Sequence, residues 1–268
     1  MEYTIPTLSV VFMVVSALFG LFIPFTLFFY MRKKHETYTA SFFIGCGTFF
    51  LFAVLLKGLF GYLLLLQNIM PSPENGPLYA VIGGLMAGIF EETGRFISFK
   101  TLLRNKLSNN KNALMYGAGH GGFEAFYILF FGMMSNFIIS VMNNNGSLGG
   151  PEVDANVLKV LAQTPPSMFL VGIAERLFAV AFHIAVSVLV WFAAKKIKHI
   201  MLYTLAVLLH ALLNAVSFVL NNTVNVWVAE IAIYVITALC IALSVFFWKR
   251  YSHDDIQVSD TAQESKNI

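Results

Sequence analysis

The stretch VIGGLMAGIFEETGRFISF, residues 81–99, decides how this chain is read. It belongs to an apolar run long enough to cross a bilayer, yet it carries Glu91, Glu92 and Arg95 in little more than one helical turn. An ionisable group in hydrocarbon costs about 3 kcal/mol or more, so it is rare there and marks function. The pattern recurs outward from this stretch. His120 and Glu124 lie in the next apolar run, His183 in a later one, and His210 with Asn214 in the one after that.

Composition agrees with a membrane protein. The 268 residues are 58% hydrophobic, with a mean hydropathy of +0.74, and only 12% are charged, about half the share of a soluble domain. Apolar runs of about 20 residues recur along the whole chain, as spanning helices require. The short alternating segments of a β-barrel do not appear. The fold class expected is therefore all-α, a polytopic helical bundle of about seven spans. They run from about Thr7 to Tyr30, Ala40 to Leu66, Leu78 to Leu103, Ala113 to Met142, Met168 to Ala194, Ile200 to Leu220 and Val226 to Trp248. The first run is longer than a signal-peptide core and lacks a preceding basic region, so it reads as a retained span. Cys46 and Cys240 both lie in apolar runs, where they read as packing residues and form no thiolate cluster.

Basic residues alternate between connections. Arg32, Lys33 and Lys34 follow the first span, Arg104, Lys106 and Lys111 the third, Lys195, Lys196 and Lys198 the fifth, and Lys249 and Arg250 the seventh. The remaining connections carry Lys159 alone. The positive-inside rule then places the N-terminus outside and the C-terminus in the cytoplasm. Residues 1–250 form one integral membrane domain, and the polar segment 251–268 is expected to be a disordered cytoplasmic tail. Pro71, Pro73 and Pro77 mark one outer turn. A second outer loop, from Asn143 to Ser167, has room for a short interfacial helix over Val153 to Ala162. The net charge of +3 is spread over loops, which encodes orientation and gives no support for nucleic-acid binding.

Counting from the basic ends, Glu92, Glu124, His183 and His210 each fall about 10 residues into their spans, or roughly 15 Å at 1.5 Å per residue. That is about half of a 30 Å hydrocarbon core. His120 and Arg95 lie about one turn nearer the basic end and Asn214 about one turn beyond. Residues three or four apart share a helix face, so Glu91 or Glu92 can meet Arg95, His120 can meet Glu124, His183 can meet Ser187, and His210 can meet Asn214. Gly117, Gly119, Gly121 and Gly122 around His120 let a neighbouring helix approach closely and can leave room for a substrate backbone.

Each group alone has a structural explanation. The acid pair with Arg95 can be a helix-joining ion pair, His120 with Glu124 a packed polar pair, and His183 or His210 a satisfied core histidine. Their common depth favours a site. Glu175-Arg176 lies nearer the outer end and reads as a structural ion pair, while Lys57 and Lys100 read as snorkelling or locally paired. Chemically, a buried acid beside another acid resists giving up its own proton, which suits one of the two to be general base for water. Arg95 can fix the other. Neutral histidines can hold a metal or donate to an oxyanion, and an asparagine amide can do the latter. No serine, cysteine or threonine sits beside an obvious base. Hydrolysis of an amide by direct attack of water is the chemistry these residues support.

The stretches Glu91-Glu92-Thr93-Gly94-Arg95, Gly119-His120-Gly121-Gly122-Phe123-Glu124, Glu175-Arg176 through His183, and His210-Ala-Leu-Leu-Asn214 resemble the intramembrane peptidases of the YhfC type, which group with the PrsW proteases and the CAAX prenyl proteases. The resemblance runs from about Gly83 to Asn214. It implies that Glu91 and Glu92 are the paired acids that activate water, that His183 and His210 are essential histidines, and that Asn214 donates to the oxyanion. Glu124 stands where CAAX proteases carry a histidine and PrsW-like members a glutamate. The resemblance leaves the cofactor open between a divalent metal such as zinc and none, since no His-Glu-x-x-His helix is present. It implies a multi-pass cell-membrane location in a bacterium and a membrane-associated protein or peptide as substrate.

The expectation is thus an intramembrane peptidase with Glu91, Glu92, Glu124, His183, His210 and Asn214 as its site, supported by Arg95, His120 and Ser187. Two rivals stand beside it. Intramembrane Glu/His chains also serve proton-coupled transporters and channels, though no inverted repeat is visible. A non-catalytic membrane scaffold on a protease fold is the other.

Overall fold

The computed structural model describes residues 3–34, 36–72, 74–147 and 153–264. Every regular element among them is helical. The long helices are α1 (Thr7–Lys34), α2 (Ala40–Leu66), α3 (Gly76–Lys100), α4 (Lys111–Asn144), α6 (Met168–Lys195), α7 (Met201–Thr223) and α8 (Val226–Glu264), with the short α5 (Ala155–Gln163) between α4 and α6. Six helical stretches among the described residues are long and apolar enough to cross a membrane. The exception among the long helices is α3, which carries Glu91, Glu92, Arg95 and Lys100. Large side chains such as Phe22, Phe29, Leu65, Ile231 and Leu239 project from the bundle and are more than half exposed. An apolar surface of this extent matches lipid, not water.

At the centre of the bundle is α6. Its most apolar window is 72% buried, against 11–28% for the other five candidate spans, and it packs on α1, α3, α4, α7 and α8. Below the midpoint of the bundle, toward the basic end, Phe99, Tyr116 and Trp191 from three helices meet edge to face with ring centroids 4.6 and 4.9 Å apart. This aromatic core closes the bundle beneath the ionisable groups.

Glycines set how closely the helices approach. In α3, Gly84, Gly88 and Glu91 recur at i, i+4 and i+7, on one face. A Cβ at Gly84 or Gly88 would lie 2.5 Å from the backbone oxygens of Ala211 or Val207 in α7. Docking α3 on α7 through these two glycines therefore turns Glu91 inward. In α4, a Cβ at Gly117 would lie 2.6 Å from Ile184 Cα of α6, while Gly119 abuts Phe42 of α2 on the other side. The glycine run at His120 is thus used for close packing on both flanks. Gly88→Ala is expected to cost about 1–3 kcal/mol by forcing the backbones apart, read as a lower unfolding temperature in detergent. Gly83→Ala, whose Cβ would meet no atom within 4 Å, is expected to leave that temperature unchanged.

Two helices widen near their middles. The chain takes π-type turns over Phe49–Leu56 in α2 and Phe126–Phe131 in α4. Such turns often sit at functional sites. Lys57 follows the first directly, and Glu124 lies two residues before the second.

The loops mostly follow expectation. Gly146, at φ +68°, terminates α4 in the left-handed conformation that glycine adopts without penalty. The helix expected over Val153 to Ala162 forms as α5, capped by Asp154, whose carboxylate accepts from Asn156 N at 2.9 Å. Pro73 and residues 148–152 of the outer loops lie outside the described residues, as do 265–268. The backbone of α8 is helical from Val226 to Glu264. No glycine or proline follows Trp248 to stop it.

Candidate active site

The ionisable groups of α3, α4, α6 and α7 meet in one connected network. The arginine of α3 bonds the acid three residues before it: Arg95 Nη1 donates to Glu92 Oε2. The other oxygen of Glu92 accepts from His210 Nδ1 at 2.7 Å. Glu91 points elsewhere. Its Oε1 accepts from Lys57 Nζ of α2 at 3.0 Å, and its Oε2 lies 3.3 Å from His120 Nε2 and 3.8 Å from His210 Nε2. Arg95 Nη2 lies 3.2 Å from His183 Nδ1, and His183 Nε2 lies 2.5 Å from Glu124 Oε2. Glu124 Oε1 accepts from Arg176 Nη1 at 2.7 Å, and Arg176 also holds Glu175.

Donor chemistry assigns the histidine protons. An arginine only donates, so His183 Nδ1 accepts and its proton sits on Nε2, directed at Glu124. A carboxylate only accepts, so His210 carries a proton on Nδ1, directed at Glu92, and its Nε2 faces Glu91. By the same argument His120 donates from Nε2 to Glu91. His120 Nδ1 is buried without a hydrogen-bond partner among the described residues. The three imidazoles cluster, with ring centroids 4.8 Å apart for His120 and His183 and 5.2 Å for His183 and His210.

The network borders a cavity of about 250 Å³ lined by Glu91, Glu124, His183, His210, Asn214 and Lys57, among others. Glu92, Arg95 and His120 stand behind that lining, wholly buried. The adjacent acids are therefore not equivalent. Glu91 lines the cavity, with Oε1 bonded to Lys57 and Oε2 to His120, whereas Glu92 lies behind the lining with its oxygens bonded to Arg95 and His210. Burying so many charges costs several kcal/mol per ion unless each is paired and bonded. Each carboxylate here has a cationic or imidazole partner.

All the residues expected for the site converge on it except Ser187. Its hydroxyl is buried and donates to the carbonyl of His183 at 2.7 Å, so it serves its own helix and does not reach the imidazole. Ser/Thr side chains in helices commonly bond back in this way. Ser187→Ala is expected to leave any hydrolytic activity unchanged, as an initial-rate comparison would read. Asn214 lines the cavity and donates one N–H to its own helix, to His210 O at 3.2 Å, which leaves its second N–H and its oxygen available.

Two residues read as peripheral belong to the network. Lys57 does not snorkel. It pairs with Glu91 and has a side chain only 30% exposed. Arg176 does pair with Glu175, and it also reaches inward to Glu124. The signal was present for both. Lys57 is an isolated cation in an apolar run, and Arg176 and His183 are seven residues apart, which places them on one helix face. Lys100, by contrast, stays local, with Nζ 5.9 Å from the Phe96 ring centroid.

A family model described as YhfC intramembrane metalloprotease matches residues 19–234, which include every residue of this network. The uncharacterized membrane protein YhfC of Bacillus subtilis (strain 168) is 32% identical over 248 residues, 89% of this chain and 95% of that protein. No solved structure matches the chain significantly. Matched over most of its length by the one and nearly end to end by the other, this multi-pass bacterial membrane protein belongs to the YhfC intramembrane metalloprotease family.

Proposed function

We propose that the chain hydrolyses peptide bonds of membrane-associated polypeptides, with water as nucleophile and Glu91 as general base. The observation that carries this reading is the inequality of the two acids. Glu91 alone of the pair faces the cavity, across from His210 Nε2. A water beside Glu91 would donate a hydrogen to its carboxylate, with the water oxygen free to attack a carbonyl carbon. Glu91 takes the proton as the C–O bond forms and delivers it to the amide nitrogen as the C–N bond breaks. Asn214 and Lys57, which keep N–H groups beyond their bonds to His210 O and Glu91, face the developing oxyanion. Glu92 and Arg95 fix His210 and His183 from behind, and Arg176 holds Glu124 against His183.

The residues present also fit a divalent metal. Ligand atoms of Glu91, His120 and His183 lie within 4.8 Å of one another. Two imidazoles and a carboxylate are a common donor set of catalytic zinc; His120 Nδ1 is buried without a hydrogen-bond partner among the described residues, and ligation through His183 would replace its bond to Arg95 or to Glu124. When bound, such an ion supplies polarisation of a carbonyl and a more acidic water. We also read α3 as a further span, which restores the count to about seven, with the basic ends of the helices in the cytoplasm.

The test is cleavage of a membrane-embedded peptide by purified protein in liposomes, with alanine at Glu91, Glu92, His183 and His210 in turn. Full activity in all four variants would end this reading. Metal analysis alongside a chelator series then separates the two forms of the chemistry. Zinc at about one per chain with chelator-sensitive cleavage assigns the metal form, and chelator-resistant cleavage assigns it to the glutamate alone.

A further inference from the structure

A second and larger hollow adjoins the cavity at Glu91. It holds about 1060 Å³ and shares Lys57, Asn214 and Ser217 with the smaller one. It runs away from the basic end, between the Lys57–Leu66 part of α2, the first half of α3 and the last half of α7. Its volume is at the upper end of the range for small-molecule pockets, about 300–1,000 Å³, and exceeds what the two residues flanking a scissile bond require.

The two walls differ in kind. On α7, Asn214, Ser217 and Asn221 recur at i, i+3 and i+7, a polar stripe about 10 Å long that leads to the cavity. Asn221 Nδ2 donates to Ser217 Oγ at 3.4 Å, and each asparagine keeps its oxygen and a second N–H free. Opposite, Gly58 and Gly61 of α2 and Gly83 of α3 present bare backbone. A Cβ at Gly58 or Gly83 would meet nothing within 4 Å, and one at Gly61 only the flexible end of Met86 at 3.3 Å. Unlike Gly84 and Gly88, these glycines hold no helix in contact. The Lys57–Leu66 segment has no buried residue.

A peptide bond inside a helix is shielded from attack, so a membrane-embedded substrate must unwind first. Each backbone N–H and C=O so released costs several kcal/mol in hydrocarbon unless it finds a partner. We propose that this groove binds the scissile segment of a membrane-embedded polypeptide in extended form. The Asn214–Ser217–Asn221 stripe bonds its backbone, and its side chains lie against the bare glycine wall. Lys57 stands where the segment passes from the groove to Glu91. This rests on the peptidase reading above.

The probe is a synthetic transmembrane peptide with lysine-flanked Leu/Ala ends, a central Gly-Ala-Gly-Ala stretch and a fluorophore. Its affinity is measured for the full chain in nanodiscs, carrying Glu91→Gln to prevent turnover. Gly83→Leu and Gly61→Leu fill the groove without displacing backbone, so both should fold. Each is expected to weaken binding by about ten-fold or more, and Asn221→Leu should weaken it as well. Gly132→Leu, equally free of neighbours and outside the groove, should not. Equal affinity in the filled variants, no binding to the parent, or loss of bound phospholipid alone would overturn the proposal. A wild-type chain that binds the probe through the groove without cutting it contradicts the peptidase reading and upholds the groove. Cleavage that Gly83→Leu leaves unchanged does the opposite.

Discussion

Replacing Glu91 with glutamine is expected to slow peptide-bond hydrolysis by about 10²- to 10⁴-fold, the usual contribution of a general base, with the fold intact. Glutamine has the shape of glutamate and can keep a hydrogen bond to His120 or Lys57 through its oxygen, but it cannot take a proton from water. Lys57, which loses an ionic partner, is 30% exposed and can turn to the cavity. Initial rates on a membrane-embedded peptide, beside unfolding temperatures of the same preparations, provide the comparison. Glu92→Gln serves as the internal control. Its effect should fall on stability at least as heavily as on rate, because Glu92 bonds Arg95 and His210 and does not border the cavity. A silent Glu91→Gln with an inactive but well-folded Glu92→Gln would exchange the two roles.

Arg95→Met is expected to be among the most destabilising substitutions in the chain. Arg95 and Glu92 are both wholly buried, and Arg95 also bonds His183. Removing one member of a buried pair leaves the other charged and unpaired, at a cost of about 3–5 kcal/mol. Removing both should be less harmful than removing one, so Arg95→Met with Glu92→Gln should unfold at a higher temperature than Arg95→Met alone. A double-mutant cycle measures that coupling. Additive losses would mean that the pair does not act as a unit.

The helices were legible because lipid imposes one strong rule. Apolar runs of about 20 residues must be helical and must end near polar loops. The turns at Phe49–Leu56 and Phe126–Phe131 left no such mark, since a run of apolar residues reads alike with either hydrogen-bond spacing.

The site was legible through depth. Counting from the basic ends brought Glu92, Glu124, His183 and His210 to one level, and they are joined there across four helices. Depth could not say which adjacent acid faces the cavity. Neighbouring residues point about 100° apart on a helix, so the answer depends on the rotation of α3, which Gly84 and Gly88 set against α7. Nor could depth reveal Arg176, whose backbone lies a level away while its guanidinium reaches Glu124. Spacing on α6 was the better guide, since Arg176 and His183 share a face.

The central claim is that Glu91 directs peptide-bond hydrolysis within the membrane. Its most direct test is mass-spectrometric mapping of new polypeptide termini in membranes from cells producing either the wild-type chain or Glu91→Gln at equal levels. The account predicts termini inside membrane-embedded stretches that appear only with the wild-type chain. Identical sets of termini in the two membranes would contradict it, and would favour a transporter or a scaffold built on the same network.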